Sequence, residues 1–159
     1  MANRQAAGTE PEEVREGGFS AEERAAMKQR AAELKTAGRG RKADKAAADL
    51  KAVLSKIAEM PASDRALAER IHAVVTAAAP ELAPRLWYGQ PAYARAGKVV
   101  CFFRSGEVDK GRYCVFGFNE EAQLDEPDGV WPVSYALAPE LTAAGEAAIR
   151  ACIERAVGA

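Results

Sequence analysis

Apolar residues along this chain recur at two periods, three to four residues and then two, and the switch between them sets the architecture. Met27, Ala31 and Leu34 form a thin stripe at helical spacing. It follows Ser20-Ala21-Glu22-Glu23, a capping-box pattern in which Glu23 can reach back to the Ser20 amide. Gly38 is a natural stop. So narrow a stripe predicts a first helix that docks weakly, or against a partner. Ala46, Leu50, Val53, Leu54 and Ile57 share one face of a second helix, closed by Pro61. Leu67, Ile71, Val74, Val75 and Ala78 mark a third, with Ser63 as its expected N-cap and Pro80 at its end. The short Met60-Pro61-Ala62 link makes these two helices antiparallel neighbours.

The period then drops to two. Trp87-Tyr88-Gly89-Gln90-Pro91-Ala92-Tyr93-Ala94-Arg95 leads through a two-residue turn, Ala96-Gly97, into Lys98-Val99-Val100-Cys101-Phe102-Phe103-Arg104. A polar loop, residues 105–111, precedes Arg112-Tyr113-Cys114-Val115-Phe116-Gly117-Phe118. Runs of β-branched and aromatic residues bounded by Gly and polar turns predict a three-stranded antiparallel meander. Gly89 suits a backbone shape that a Cβ would obstruct. Pro91 needs an edge, a bulge or a strand start, because it lacks an amide hydrogen. Trp131, Val133, Tyr135 and Leu137 alternate with smaller residues as a fourth strand, at an edge because of Pro132. Pro139 and Thr142 open a last helix bearing Ile149, Cys152, Ile153 and Ala156, and Gly158 ends it.

Strands cluster instead of alternating with helices, so the expected class is α+β: an antiparallel sheet of three to five strands with helices mainly on one face. The 99–103 run is apolar on both sides, which predicts a central strand whose second face is also partly covered. Residues 1–18 are too polar to offset their ordering entropy and read as a disordered tail. Residues 19–45 hold the first helix and a basic linker, and 46–158 form the α+β domain.

Composition narrows the function. Lys plus Arg number 22 and Asp plus Glu 23, a net charge of −1, which argues against a strongly electrostatic nucleic-acid binder. The basic cluster Arg39-Gly40-Arg41-Lys42-Ala43-Asp44-Lys45 lacks interleaved aromatics for base stacking and reads as a solvated linker. The three cysteines, Cys101, Cys114 and Cys152, have no zinc or disulfide-framework spacing. Cys101 and Cys114 are expected as small buried apolar side chains, near one another across a hairpin. No apolar run reaches the roughly 18 residues of a membrane span, so the expected setting is the cytoplasm.

Candidate chemistry is sparse. His72 is the only histidine and reads as solvent-facing. No Gly-rich phosphate loop, Gly-x-Ser-x-Gly or paired histidine base and nucleophile is present, so a non-enzymatic protein is expected. Two binding sites suggest themselves. Glu120, Glu121, Asp125, Glu126 and Asp128 place five carboxylates within nine residues, a group whose mutual repulsion a hard cation would relieve. Trp87, Tyr88, Gln90 and Tyr93 could line a cleft between the helices and the first hairpin, with Gln90 as polar anchor for a small molecule or a protein partner. The expected partners are a metal ion or small ligand, with a second copy of the chain as a further candidate.

The stretches Trp87-Tyr88-Gly89-Gln90-Pro91-Ala92-Tyr93 and Gly97-Lys98-Val99-Val100-Cys101-Phe102-Phe103 resemble the YdhG-like domain family of unknown function. That family is grouped with the YjbR/CyaY-like, frataxin-associated proteins. Ala79-Pro80-Glu81-Leu82, Gly129-Val130-Trp131-Pro132 and Leu141-Thr142-Ala143-Ala144 are similar to it as well, so the likeness covers residues 50–157. Gln90 stands where the family usually has Met. The resemblance implies no catalytic residues; it implies a role like that of a frataxin-type iron chaperone, with iron as the bound metal.

Overall fold

Capping chemistry starts the first helix. In the computed structural model, which describes residues 19–37 and 42–158, helix α1 spans Ala21–Ala37. Ser20 Oγ accepts from the Glu23 amide at 3.1 Å, and the Ser20 amide donates to Glu23 Oε2 at 3.3 Å, so the capping box is closed both ways. None of the described side chains of α1 is buried, and Phe19, Met27 and Leu34 stay exposed, as the thin stripe predicts. Gly38 and the tail 1–18 lie outside the described residues, as do Arg39, Gly40 and Arg41 of the basic cluster.

Helix α2 (Lys42–Ala58) begins earlier than the apolar pattern suggests, taking in Lys42 and Lys45. Its orientation also differs. Val53 and Ile57 are 0% and 2% exposed, but Leu50 and Leu54 keep 37% and 48% of their surface. The stripe is wider than the contact, and the helix is turned so that Asp49, Ala52 and Lys56 face half inward. Helix α3 (Ala62–Ala78) starts one residue before Ser63, with Pro61 at its N-cap and no side-chain cap, so Ser63 is not the cap. Proline suits this end, since it has no amide hydrogen to leave unsatisfied. Helix α4 (Ala143–Ala156) is capped by Thr142, whose Oγ1 accepts from the Gly145 amide at 3.1 Å.

The sheet has five antiparallel strands in chain order: β1 (Ala83–Trp87), β2 (Gln90–Arg95), β3 (Lys98–Arg104), β4 (Cys114–Phe118) and β5 (Ser134–Leu137). The first is not predicted by the sequence pattern, in which Trp87 to Arg95 form one run. Tyr88 and Gly89, at φ +49° and +74°, divide that run as a two-residue hairpin turn. Ala96 and Gly97, at φ +50° and +80°, form the second such turn. Positive φ at both central residues matches the right-handed twist of the flanking strands. Pro91 sits at the start of β2, where the ladder to β3 has not yet begun. Pro132 precedes β5, which is an edge strand.

One face of the sheet carries Tyr93, Cys101, Phe103, Phe116 and Phe118, packed with Val53 and Ile57 of α2, Ile71 and Val75 of α3, and Ile149 and Ile153 of α4. An extra residue in β3 opposite Tyr93 and Ala94 turns both Val100 and Cys101 into this core. The central strand β3 also has a covered second face. There Ala92, Ala94 and Val99 lie under Trp87 and Phe102. Cys101 and Cys114 are buried and free, as expected, but they are not cross-strand neighbours: Cys101 opposes Phe118, and Cys114 opposes Leu137.

Candidate functional site

The β1–β2 turn reaches α1. Gly89 N donates to Glu33 Oε1 at 3.1 Å, and the Arg30 guanidinium lies over the Tyr88 ring, 5.8 Å from its centre. Arg30 and Glu33 also face each other at 3.6 Å. These polar contacts hold a helix none of whose described apolar side chains is buried.

Between α1, α2 and β1 they leave a cleft of about 330 Å³. Small-molecule sites begin near this size, roughly 300 Å³. Helix α2 supplies Lys45, Asp49, Ala52 and Lys56, with Glu59 just past its end, spaced four, three, four and three residues apart and so on one face. Ala32, Ala48, Leu86 and Gly89 make the apolar part of the lining, and Arg85 enters from the edge strand. Arg85 also donates to Gly97 O at 3.4 Å. A smaller hollow of about 110 Å³ shares Lys56 and Glu59 and reaches Gln90 and Ser105.

Among the described residues, the side chains of Lys45, Asp49, Lys56 and Glu59 make no hydrogen bond or ion pair. Lys45, Asp49 and Lys56 are nevertheless half-buried. Lysine stems can lie along the alanine-rich wall and keep their ammonium groups wet. A half-buried Asp has no such stem, and withdrawing its charge from water without a partner costs free energy.

The four residues expected to line a hairpin cleft do not converge. Tyr93 is fully buried beneath α3, where its hydroxyl lies 3.1 Å from His72 Nδ1. Burial raises the Tyr93 phenol well above its ordinary range, with a further push from nearby Cys101. Trp87 turns to the opposite sheet face and packs on Phe102, ring centres 5.2 Å apart. Tyr88 is exposed at the turn. Gln90, 6% exposed, accepts from the Ser105 amide at 3.3 Å through Oε1. The cleft is therefore beside the expected hairpin, but it is walled by α2 charges. The alternating signs at residues 45, 49, 56 and 59 were the available signal, carried on the flank of the apolar stripe.

Ser105 anchors a second polar node. Its Oγ donates to Asp64 Oδ2 at 2.5 Å, and that carboxylate also accepts from the Glu107 amide at 3.3 Å. Burial pushes Asp64 upward, but hydrogen bonds from Ser105, Glu107, Cys114 and Ser63 outweigh it and leave the pKa lowered. Burial raises the Cys114 thiol to about 11. His72 is half-buried against Tyr93 instead of facing solvent, and burial lowers its pKa.

The acidic segment is pinned by buried Ala122 and Leu124 and by the Gln123 amide donating to Ala156 O at 2.9 Å. Glu126 pairs with Arg155. Glu120, Asp125 and Asp128 are exposed and Glu121 is half-buried. Among the described residues, no three His, Cys, Asp or Glu side chains are grouped closely enough to hold a metal ion. No helix among them is long and apolar enough to cross a membrane. Set against known proteins, the chain matches no family model, no curated protein and no solved structure.

Proposed function

We propose that this is a non-enzymatic binding protein that takes a small molecule in the cleft between α1, α2 and the β1–β2 turn. The observation that carries the reading is the orientation of α2. Leu50 and Leu54 face solvent while Asp49 and Lys56 are half-buried and unpaired among the described residues. Packing alone would favour the opposite rotation, since burying a leucine is worth about 2 kcal/mol. Departures of this kind, where pattern and packing disagree, concentrate at working sites. Side chains of the types that serve bond chemistry make structural contacts here: Ser105 ties β3 to α3 through Asp64, and His72 meets Tyr93. The test is a thermal-shift screen of a metabolite library on the parent and on Ala52→Trp, which fills the cleft. Shifts seen with the parent and lost in the variant support the reading; shifts of equal size in both refute it.

An iron-handling role is the second reading. Its support is the YdhG-like resemblance and the exposure of Glu120, Asp125 and Asp128 on a segment anchored at both Ala122 and Leu124. Ferrous iron would then raise the melting temperature, and neutralising Glu120, Glu121 and Asp125 together would abolish the rise. An unchanged rise would place the metal elsewhere.

A further inference from the structure

The charges in the cleft specify more than a small molecule. They run Lys45, Asp49 and Lys56 on α2 and Glu59 just past its end, positive and negative by turns along one face, with Arg85 across from them on β1. Lys45 and Asp49 are four residues apart, so their side chains stand about 5–6 Å from each other at the Cβ level. The Lys45 and Asp49 side chains are not paired, with each other or with any other described residue. A singly charged ligand would satisfy one sign and leave the other facing it across a small cleft. A ligand carrying both signs close together satisfies both.

We infer that the cleft selects a free amino-acid zwitterion, with Asp49 meeting its ammonium group and Lys56 or Lys45 its carboxylate. This rests on the reading of the cleft as the binding site. The alanine-rich wall of Ala32, Ala48 and Ala52 leaves space for an aliphatic side chain, and Gln29 is, among the described residues, the one uncharged polar side chain in the lining. The volume of about 330 Å³ holds an amino acid with room to spare. Discrimination follows from the half-burial of Asp49 and Lys56. An analogue lacking one charge leaves a partner desolvated and unpaired, which commonly costs tenfold or more in affinity.

The test sets the common free L-amino acids against their matched amines, their matched carboxylic acids, and neutral amides and sugars. Each probe is read by thermal shift and calorimetry on the parent protein, Asp49→Asn, the double variant Lys45→Gln/Lys56→Gln and Ala52→Trp. Ala48→Leu serves as a milder filling variant should Ala52→Trp fold poorly. The expected result is saturable binding by one or more amino acids, at least tenfold weaker for the matched amine and acid. Asp49→Asn and the double variant Lys45→Gln/Lys56→Gln should each lose it while melting near the parent temperature, and retention in either overturns the assignment. If neutral or singly charged probes bind as well as zwitterions and are lost in the filling variants, the zwitterion inference fails and the cleft reading stands. If hits survive filling, both fail. No binding by any amino acid overturns the inference.

Discussion

Ser105→Ala tests the polar node that locks β2, β3 and α3 together beside the cleft. Ser105 is 3% exposed, and its hydroxyl makes a 2.5 Å bond to Asp64 while accepting from the Glu107 amide at 3.3 Å. A hydrogen bond to a charged group contributes about 1.5–3 kcal/mol. Asp64 is partly exposed, so the lower end applies. Loss of the Ser105 cap on the 3-10 helix Gly106–Asp109 adds a few tenths, because that helix is only one turn long. The expected total is about 2 kcal/mol, or about 8 °C at roughly 4 °C per kcal/mol for a domain of this size. Urea titration and calorimetry at neutral pH would measure it. The pH dependence follows from the same bond. Asp64 has its pKa lowered on folding, so its stabilisation is full above the unfolded value near about 3.9 and is lost as pH falls through the folded value. The variant should therefore approach the parent in stability in strong acid. A neutral-pH loss below about 0.5 kcal/mol, with Ser105→Ala and Asp64→Asn strictly additive, would refute the reasoning.

Other substitutions probe other links. Ile57→Ala should destabilise by about 2–5 kcal/mol, whereas Leu54→Gln on the outer face of α2 should fall within about 0.5 kcal/mol of the parent; denaturant midpoints compare them directly. Equal losses at the two sites would mean that α2 is rotated the other way. Gly89→Ala places a Cβ on a residue at φ +74° and into Gln29 Oε1, and should cost about 1–2 kcal/mol by thermal melting, chiefly from the backbone because the Gln29 side chain can move. His72 has its pKa lowered by burial, so the unfolded chain binds its proton more readily. Stability should then fall as pH drops through about 6.5, and the slope should flatten in His72→Gln; an unaltered slope between neutral pH and mild acid would count against the burial of His72.

The sheet was legible because its turn chemistry is local. Ala96-Gly97 and the apolar run through Cys101 and Phe103 announce a hairpin and a central strand, and both stand in the structure. The capping box at Ser20 and Glu23 was equally plain. Strand β1 was hidden because Pro84 and Arg85 carry no strand signal of their own; pairing with Tyr93 and Ala92 makes them a strand. The same unseen turn misplaced the candidate site. In one continuous strand Trp87 and Tyr93 would share a face, whereas the Tyr88-Gly89 turn puts Trp87 on β1 and on the face opposite Tyr93. The rotation of α2 was beyond reach for another reason. Its apolar residues span a wide arc, and which flank docks depends on the edge strand it meets. The carboxylates of 120–128 were read as a group from proximity in sequence, yet Arg155 on α4 engages Glu126.

A two-dimensional amide NMR titration with the strongest thermal-shift ligand is the most direct test of the binding site. The cleft reading predicts saturable shifts of one affinity at Glu33, Asp49, Ala52, Lys56 and Gly89, with the 120–128 amides unmoved. Shifts confined to residues 120–128, with the α1, α2 and Gly89 signals fixed, would contradict it.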